Sequence, residues 1–167
     1  RTLFKAGGML RVTNSTQALQ SLSKLWMPLG KRVVIVGGGL VGLELAEFLI
    51  ARGREVTVLE AGAKPGAELS IVRRWRVLEA VEQHGTVQRH ANVQEITAHD
   101  VRWLDADGAE HRTPADSVVL ASGAQPDDSV ARSLVSSGIA VHTAGDCAQL
   151  GYIEGAMHSG NRIGRTV

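Results

Sequence analysis

Three glycines stand at Gly37, Gly39 and Gly42 in the stretch "VVIVGGGLVGLELAEFL", and a carboxylate, Glu60, follows Gly42 by 18 positions. Glycines at this spacing suit the binding of a nucleotide diphosphate. The first permits a tight turn, the second lets a pyrophosphate approach the backbone, and the third lets a helix pack closely on a strand. The helix that begins there presents unpaired N–H groups and the positive end of its dipole to the phosphates. A carboxylate about 20 residues further on is placed to accept hydrogen bonds from the adenosine ribose hydroxyls. Such a carboxylate repels a 2′-phosphate, so NADH is expected ahead of NADPH. Lys64, Arg73 and Arg74 are the counter-argument, being able to clamp a phosphate, but the arginines are expected on the outer face of the next helix.

The elements around these residues must place them. "KRVVIVG" reads as a buried strand, since consecutive apolar residues suit a parallel sheet covered on both faces. Leu40 to Arg52 is expected to be a helix closed by Gly53 at C′, "EVTVLE" a second buried strand, and Ile71 to His84 a helix ending before Gly85. Ahead of them, Ala18, Leu19, Leu22 and Leu25 form a helical pattern behind an Asn14 or Ser15 cap. From Thr86 the segments "TVQRH", "NVQEITA" and "DVRWLD", with the turn at Asp107-Gly108 and the return "AEHRT", read as a small antiparallel meander. "DSVVLASGAQP" reads as another buried strand, "DSVARSLVSSG" as a helix stopped by Gly138, "IAVHTAGD" as a strand, and "GYIEGAMHSGNRIGRTV" as a final helix. The fold class is therefore α/β, a Rossmann-like parallel sheet from Val33–Val36, Val56–Leu59 and Val118–Leu120, with helices on both faces and a meander crossover at residues 93 to 112. The expected divisions are a helical lead-in at 1–30, a dinucleotide-binding domain at 31–126 and a further piece at 127–167.

Composition bounds the function. At 167 residues the chain can bury a sizeable core, and a net charge of +1 with 21% charged residues gives no pull towards nucleic acid or an acidic membrane. The single cysteine, Cys147, provides neither an internal disulfide nor a dithiol pair and reads as a packing residue. A cytoplasmic setting is the default. The sequence has no apolar run of membrane-spanning length and no signal-peptide core, and it opens on Arg1, as a piece of a longer protein would. The histidines, His142 and His158 among them, lack metal-like spacing. Tyr152 has Ala156 four positions on, which removes the Tyr-x-x-x-Lys pair of short-chain dehydrogenases. Arg73, Arg74 and Arg76 read as a solvated helical face.

These motifs carry a family resemblance. "VVIVGGGLVGLELAEFLIARGREVTVLE" is similar to the NAD(P)H-binding domain of two-dinucleotide flavoprotein reductases, where that domain is inserted in a separate FAD-binding domain. "VVLASGAQPDDS" resembles their Ala-Thr-Gly motif, with Ser122 for threonine. "IAVHTAGDCAQLGYIEGAMHSGNRIG" resembles their late Gly-Asp motif, and the brevity of "SSGIAVHTAGDC" is similar to the 2,4-dienoyl-CoA reductase, trimethylamine dehydrogenase and enoate reductase branch. The resemblance implies cofactor contacts from Gly37, Gly38, Gly39, Leu40, Val41 and Gly42, from Glu60, from Ala121, Ser122 and Gly123, and from Gly145 and Asp146, the last touching the flavin's ribityl or pyrophosphate portion. Glu44 matches a glutamate that lies near the nicotinamide, although a plain helical carboxylate reads nearly as well. No residue of the chain is implied as a catalytic acid or base.

No second glycine loop for FAD occurs in the sequence. The reading is thus a fragment that positions NADH for hydride transfer to a flavin, with FAD bound only alongside the flavin-binding remainder of a parent enzyme; alone it should be colourless and inactive. A structural ADP site, a regulatory nucleotide module and an S-adenosylmethionine methyltransferase remain as alternatives. The last leaves "ASGAQP" and "AGD" unexplained.

Overall fold

The computed structural model describes residues 26–167 together with Ser21 and Ser23. Most of the helical pattern read between Asn14 and Leu25 lies outside the described residues. The chain divides into two compact units, the first ending at Ser122 and the second running from Gly123 to Val167.

In the first unit, β1 (Arg32–Val36), α1 (Leu40–Ile50), β2 (Glu55–Leu59), α2 (Ile71–His84) and β3 (Thr86–Gln88) alternate. A meander follows, made of β4 (Asn92–Ile96), β5 (Asp100–Leu104) and β6 (Glu110–Pro114), and β7 (Ser117–Leu120) closes the unit. The main sheet runs β3-β2-β1-β7 with every pairing parallel, and the meander is a separate antiparallel sheet in the order β4-β5-β6.

β1 is the centre of the unit because its apolar residues serve both faces. Val33 and Ile35 pack with Leu43, Ala46 and Leu49 of α1 and with Val77 and Val81 of α2. Val34, pointing the other way as strand alternation requires, packs with Leu59, Ala91, Val101, Trp103 and Ala115. Among the described residues of this unit, α1 and α2 therefore share one face of the sheet, and the meander, which supplies Val101 and Trp103, covers the other. The second face is closed by antiparallel strands where a helix was expected.

Three segments differ from the sequence reading. Thr86–Gln88 is not part of the meander: it pairs in parallel with β2 as the outer strand, because α2 returns the chain to the sheet in the same direction, as a strand-helix-strand unit does. β7 is half-buried rather than buried, with Leu120 exposed, because among the described residues β1 is its only partner and its other side is an edge. "IAVHTAGD" forms no strand. An apolar run becomes a strand only where another strand offers its N–H and C=O groups, and the second unit has none among its described residues.

Glycines stop two helices as expected. Gly53 (φ +73°) and Gly138 (φ +78°) adopt the left-handed conformation. In each case the glycine N–H and the next N–H bond back to the last helical turn: Gly53 to Ile50 O and Arg54 to Leu49 O, Gly138 to Val135 O and Ile139 to Leu134 O.

The second unit contains α3 (Ser129–Ser136), a single 3-10 turn (Gly145–Cys147) and α4 (Tyr152–Gly164). Neither helix has a buried residue.

Candidate dinucleotide site

The glycine loop joins β1 to α1. Gly37 has φ +108°, and any side chain there would overlap the Ala121 carbonyl. Its N–H donates to Leu59 O at 2.8 Å. Gly42 meets the same turn from the helix side, where an added Cβ would overlap the carbonyl oxygen of Gly37. These two glycines let strand, turn and helix touch. Gly38 and Gly39 face acidic side chains instead: a Cβ on Gly38 would lie 2.9 Å from Glu60 Cβ, and one on Gly39 would lie 2.5 Å from Glu68 Oε1.

Glu60 follows directly on β2. Its Oε2 accepts the Gly38 N–H at 2.6 Å and its Oε1 accepts the Gly62 N–H at 2.7 Å. Both oxygens are thereby fixed, and each keeps a lone pair for a further donor. The backbone on either side is also anchored, since Glu60 N–H donates to Gln88 O and Ala91 N–H donates to Glu60 O.

Glu68 is the residue that sequence reasoning missed. Its Oε1 accepts the N–H of Leu40, the first residue of α1, at 2.6 Å. The loop that carries it is also tied down, because Gly66 N–H donates to Gly38 O at 2.7 Å. The available signal was weak: one acidic residue in the glycine-rich loop after β2, able to satisfy a helix N-terminus.

Glu44 lies on α1 and accepts a hydrogen bond from Arg73 Nη2 at 3.3 Å, while Glu47 accepts one from the same nitrogen at 2.9 Å. The Glu47 bond is the main cause that raises the Arg73 pKa. Arg74 donates from Nε to Pro65 O at 2.7 Å. Neither arginine sits on the outer face of α2. Arg73 reaches across to α1, where Glu44 and Glu47 accept from it, and Arg74 holds the loop that precedes its own helix. Val41 is exposed on the first turn of α1.

Ala121 continues β7, donating its N–H to Val36 O at 2.7 Å beside the glycine turn. Ser122 ends the first unit and Gly123, at φ +113°, begins the second. There Gly145 (φ +72°) opens the 3-10 turn and donates to Ser159 Oγ at 2.8 Å. Asp146 Oδ1 accepts the N–H groups of Gly151 and Tyr152 at 2.9 and 3.0 Å, and so caps α4. Cys147 is exposed. Among the described residues no group of three or more His, Cys, Asp or Glu side chains could hold a metal ion, and no helix is long and apolar enough to cross a membrane.

Three features therefore meet beyond the ends of β1 and β2: the glycine loop, a helix N–H that takes the Glu68 carboxylate oxygen in the space above Gly39, and the fixed Glu60 carboxylate. Comparison with known proteins places the chain in a class. The sequence pattern of the pyridine nucleotide-disulphide oxidoreductase family matches residues 4–154, and the chain belongs to that family. It is 38% identical over 117 residues to bilirubin reductase of Mediterraneibacter gnavus, covering 70% of this chain and 18% of that protein. With NADH oxidase of Thermoanaerobacter brockii it shares 30% identity over 135 residues, 80% of this chain and 21% of the relative. A solved 2-naphthoyl-CoA reductase complex superposes with a TM-score of 0.74 at 28% identity, over 84% of this chain and 22% of that one. The chain thus spans about a fifth of the length of these relatives. Its homologues include NAD(P)H-dependent oxidoreductases.

Proposed function

We propose that this chain is the nicotinamide-dinucleotide-binding part of a larger flavin-dependent oxidoreductase, and that it holds NADH for hydride transfer to a flavin. The observation that carries the reading is the fixed Glu60 carboxylate beside the Gly37–Gly42 loop. Gly37, Gly38, Gly39, Leu40, Val41 and Gly42 carry the pyrophosphate, and Glu60 takes the adenosine ribose hydroxyls. Ala121, Ser122 and Gly123 are assigned to the nucleotide by the family resemblance. When bound, the two cofactors supply the redox chemistry, from nicotinamide C4 to flavin N5; the chain supplies position and electrostatics. Gly145 and Asp146 are assigned to the flavin, which binds with the remainder of the longer protein. Asp146 Oδ1 is already engaged with two backbone N–H groups, so Oδ2 is the oxygen available to it. With one cysteine the 167 residues hold no dithiol pair, so the reading does not include disulphide reduction by this chain. The likeness to 2-naphthoyl-CoA reductase supports the 2,4-dienoyl-CoA reductase branch.

A second reading, an ADP site with no redox role, draws on Glu44. At the nicotinamide end the resemblance offers only this side chain, and its carboxylate is paired with Arg73. Calorimetric titration separates the two. NADH is expected to bind more tightly than both NADPH and ADP, and Glu60→Gln to weaken NADH by about 1.5 to 3 kcal/mol, the range of a charge-assisted hydrogen bond. NADH bound no better than ADP supports the second reading, and NADPH bound as tightly as NADH removes the role given to Glu60. The purified chain is expected to be colourless; one tightly held flavin per chain, seen in the absorbance spectrum, would show that the flavin site needs no remainder.

A further inference from the structure

The N–H of Leu40 is the first donor of α1, and in glycine loops of this kind that end of the helix receives the pyrophosphate. Here it is taken. Glu68 Oε1 lies 2.6 Å from it and 2.5 Å from where a Cβ of Gly39 would stand, which is the space the missing side chain leaves open. One N–H cannot serve two anions, and a carboxylate and a pyrophosphate at the same helix end also repel each other.

We infer that Glu68 is an internal competitor of the nucleotide: its carboxylate closes the pyrophosphate position and must swing out before the dinucleotide seats. The inference rests on the nucleotide reading above. The loop backbone need not follow the side chain, because Gly66 is held on Gly38 O and Pro65 on Arg74 independently of the carboxylate. The competition acts on phosphate and not on ribose, since Glu60 has its own separate partners, Gly38 and Gly62. Such a device lowers apparent affinity by the fraction of molecules in which the position is closed.

The test is titration of the full chain and of Glu68→Gln and Glu68→Ala with NADH, ADP and adenosine, together with melting temperatures without ligand. Glu68→Ala is expected to tighten NADH and ADP about three- to tenfold, and Glu68→Gln, which keeps an acceptor but loses the charge, about two- to fivefold. Adenosine, which has the ribose and no phosphate, is expected to bind all three alike. Without ligand Glu68→Ala is expected to melt lower, since it loses the cap on Leu40. A merely structural Glu68 would lower both stability and affinity. Glu68→Gln preserves the hydrogen bond and so keeps the test independent of folding. If the unmodified chain binds NADH and the folded variants bind it equally or more weakly, the competitor role is overturned and the nucleotide site stands. If neither the unmodified chain nor any variant binds NADH or ADP, the nucleotide reading itself fails, and this role with it.

Discussion

Two glycine turns, one in each unit, are held in different ways. The Gly37–Gly42 loop hangs between β1, whose Val33, Val34 and Ile35 are buried, and α1, whose Leu43, Ala46 and Leu49 are buried. Its shape is fixed by close packing: Gly42 meets the Gly37 carbonyl, and Gly37 meets Ala121. The Gly145–Asp146 turn has no buried neighbour on α3 or α4 and is held by hydrogen bonds to Ser159, Gly151 and Tyr152. Val130, Ile153 and Met157 of this unit are exposed. A core positions a backbone loop rigidly because displacing any part of it opens a void or a clash, whereas exposed hydrogen bonds exchange with water at little net cost. A site that must meet a pyrophosphate with backbone N–H groups belongs on the first kind of support.

Glycine substitutions should separate the two most strongly. Gly42→Val is expected to destabilise the first unit by about 3 kcal/mol or more, through overpacking against the Gly37 carbonyl, and to abolish NADH binding. Gly160→Ala on α4, where an added Cβ meets nothing within 4 Å, is expected to be neutral or to stabilise by about 0.5–1 kcal/mol. Denaturant melts of the two variants check this; equal losses would mean that packing does not distinguish the two units. Native-state hydrogen exchange sharpens the same contrast. The amides of Val33 to Ile35 are expected to exchange at least about a hundredfold more slowly than those of α3 and α4, since local opening is easiest where few apolar contacts hold it closed.

Legibility in the sequence follows how local the deciding contacts are. The β1-loop-α1-β2-α2 run was readable because hydrophobic period, glycine spacing and helix stops all agree there, and Gly53 and Gly138 end their helices as glycines do. What could not be read depended on partners distant in sequence. Thr86–Gln88 has the texture of a meander strand and becomes a sheet edge only because β2 is beside it. "IAVHTAGD" has the texture of a strand and forms none, for lack of a partner strand among the described residues of its unit. The contact of Glu68 with Leu40 spans 28 positions and left no periodic trace. Arg73 and Arg74 looked solvated by composition, yet each found a specific acceptor.

Arg73 offers a smaller test, within the first unit. Arg73→Ala removes two hydrogen bonds from one guanidinium to Glu44 and Glu47. Both partners of each pair are more than a third exposed and screened by solvent, so the expected loss is about 0.5 kcal/mol. It leaves two carboxylates three positions apart on α1 without their cation. If Glu44 lies near the nicotinamide, NADH binding should change while ADP binding does not, and equal effects on both nucleotides would place Glu44 away from the ring.

The smallest expected effect concerns Asp116, which joins β7 to the start of β1. Its Oδ2 accepts the Arg32 backbone N–H at 2.9 Å, and its Oδ1 accepts Arg32 Nε at 3.1 Å and Nη2 at 2.5 Å. The Arg32 side-chain hydrogen bond is the leading cause that lowers the Asp116 pKa from 3.8 to about 2. A carboxyl that ionises more readily when folded stabilises the fold above its unfolded pKa, and that contribution fades as pH falls through the folded value. Asp116→Asn is therefore expected to lower the melting temperature slightly at pH 7, and the gap from the unmodified chain should close as pH falls from 4 to 2. Because the pair links strands of the first unit, the exchange rates of β1 and β7 amides should rise while those of α3 and α4 stay unchanged. A gap that persists at pH 2 would assign the effect to side-chain packing rather than charge, and faster exchange in α4 would mean that the two units open together.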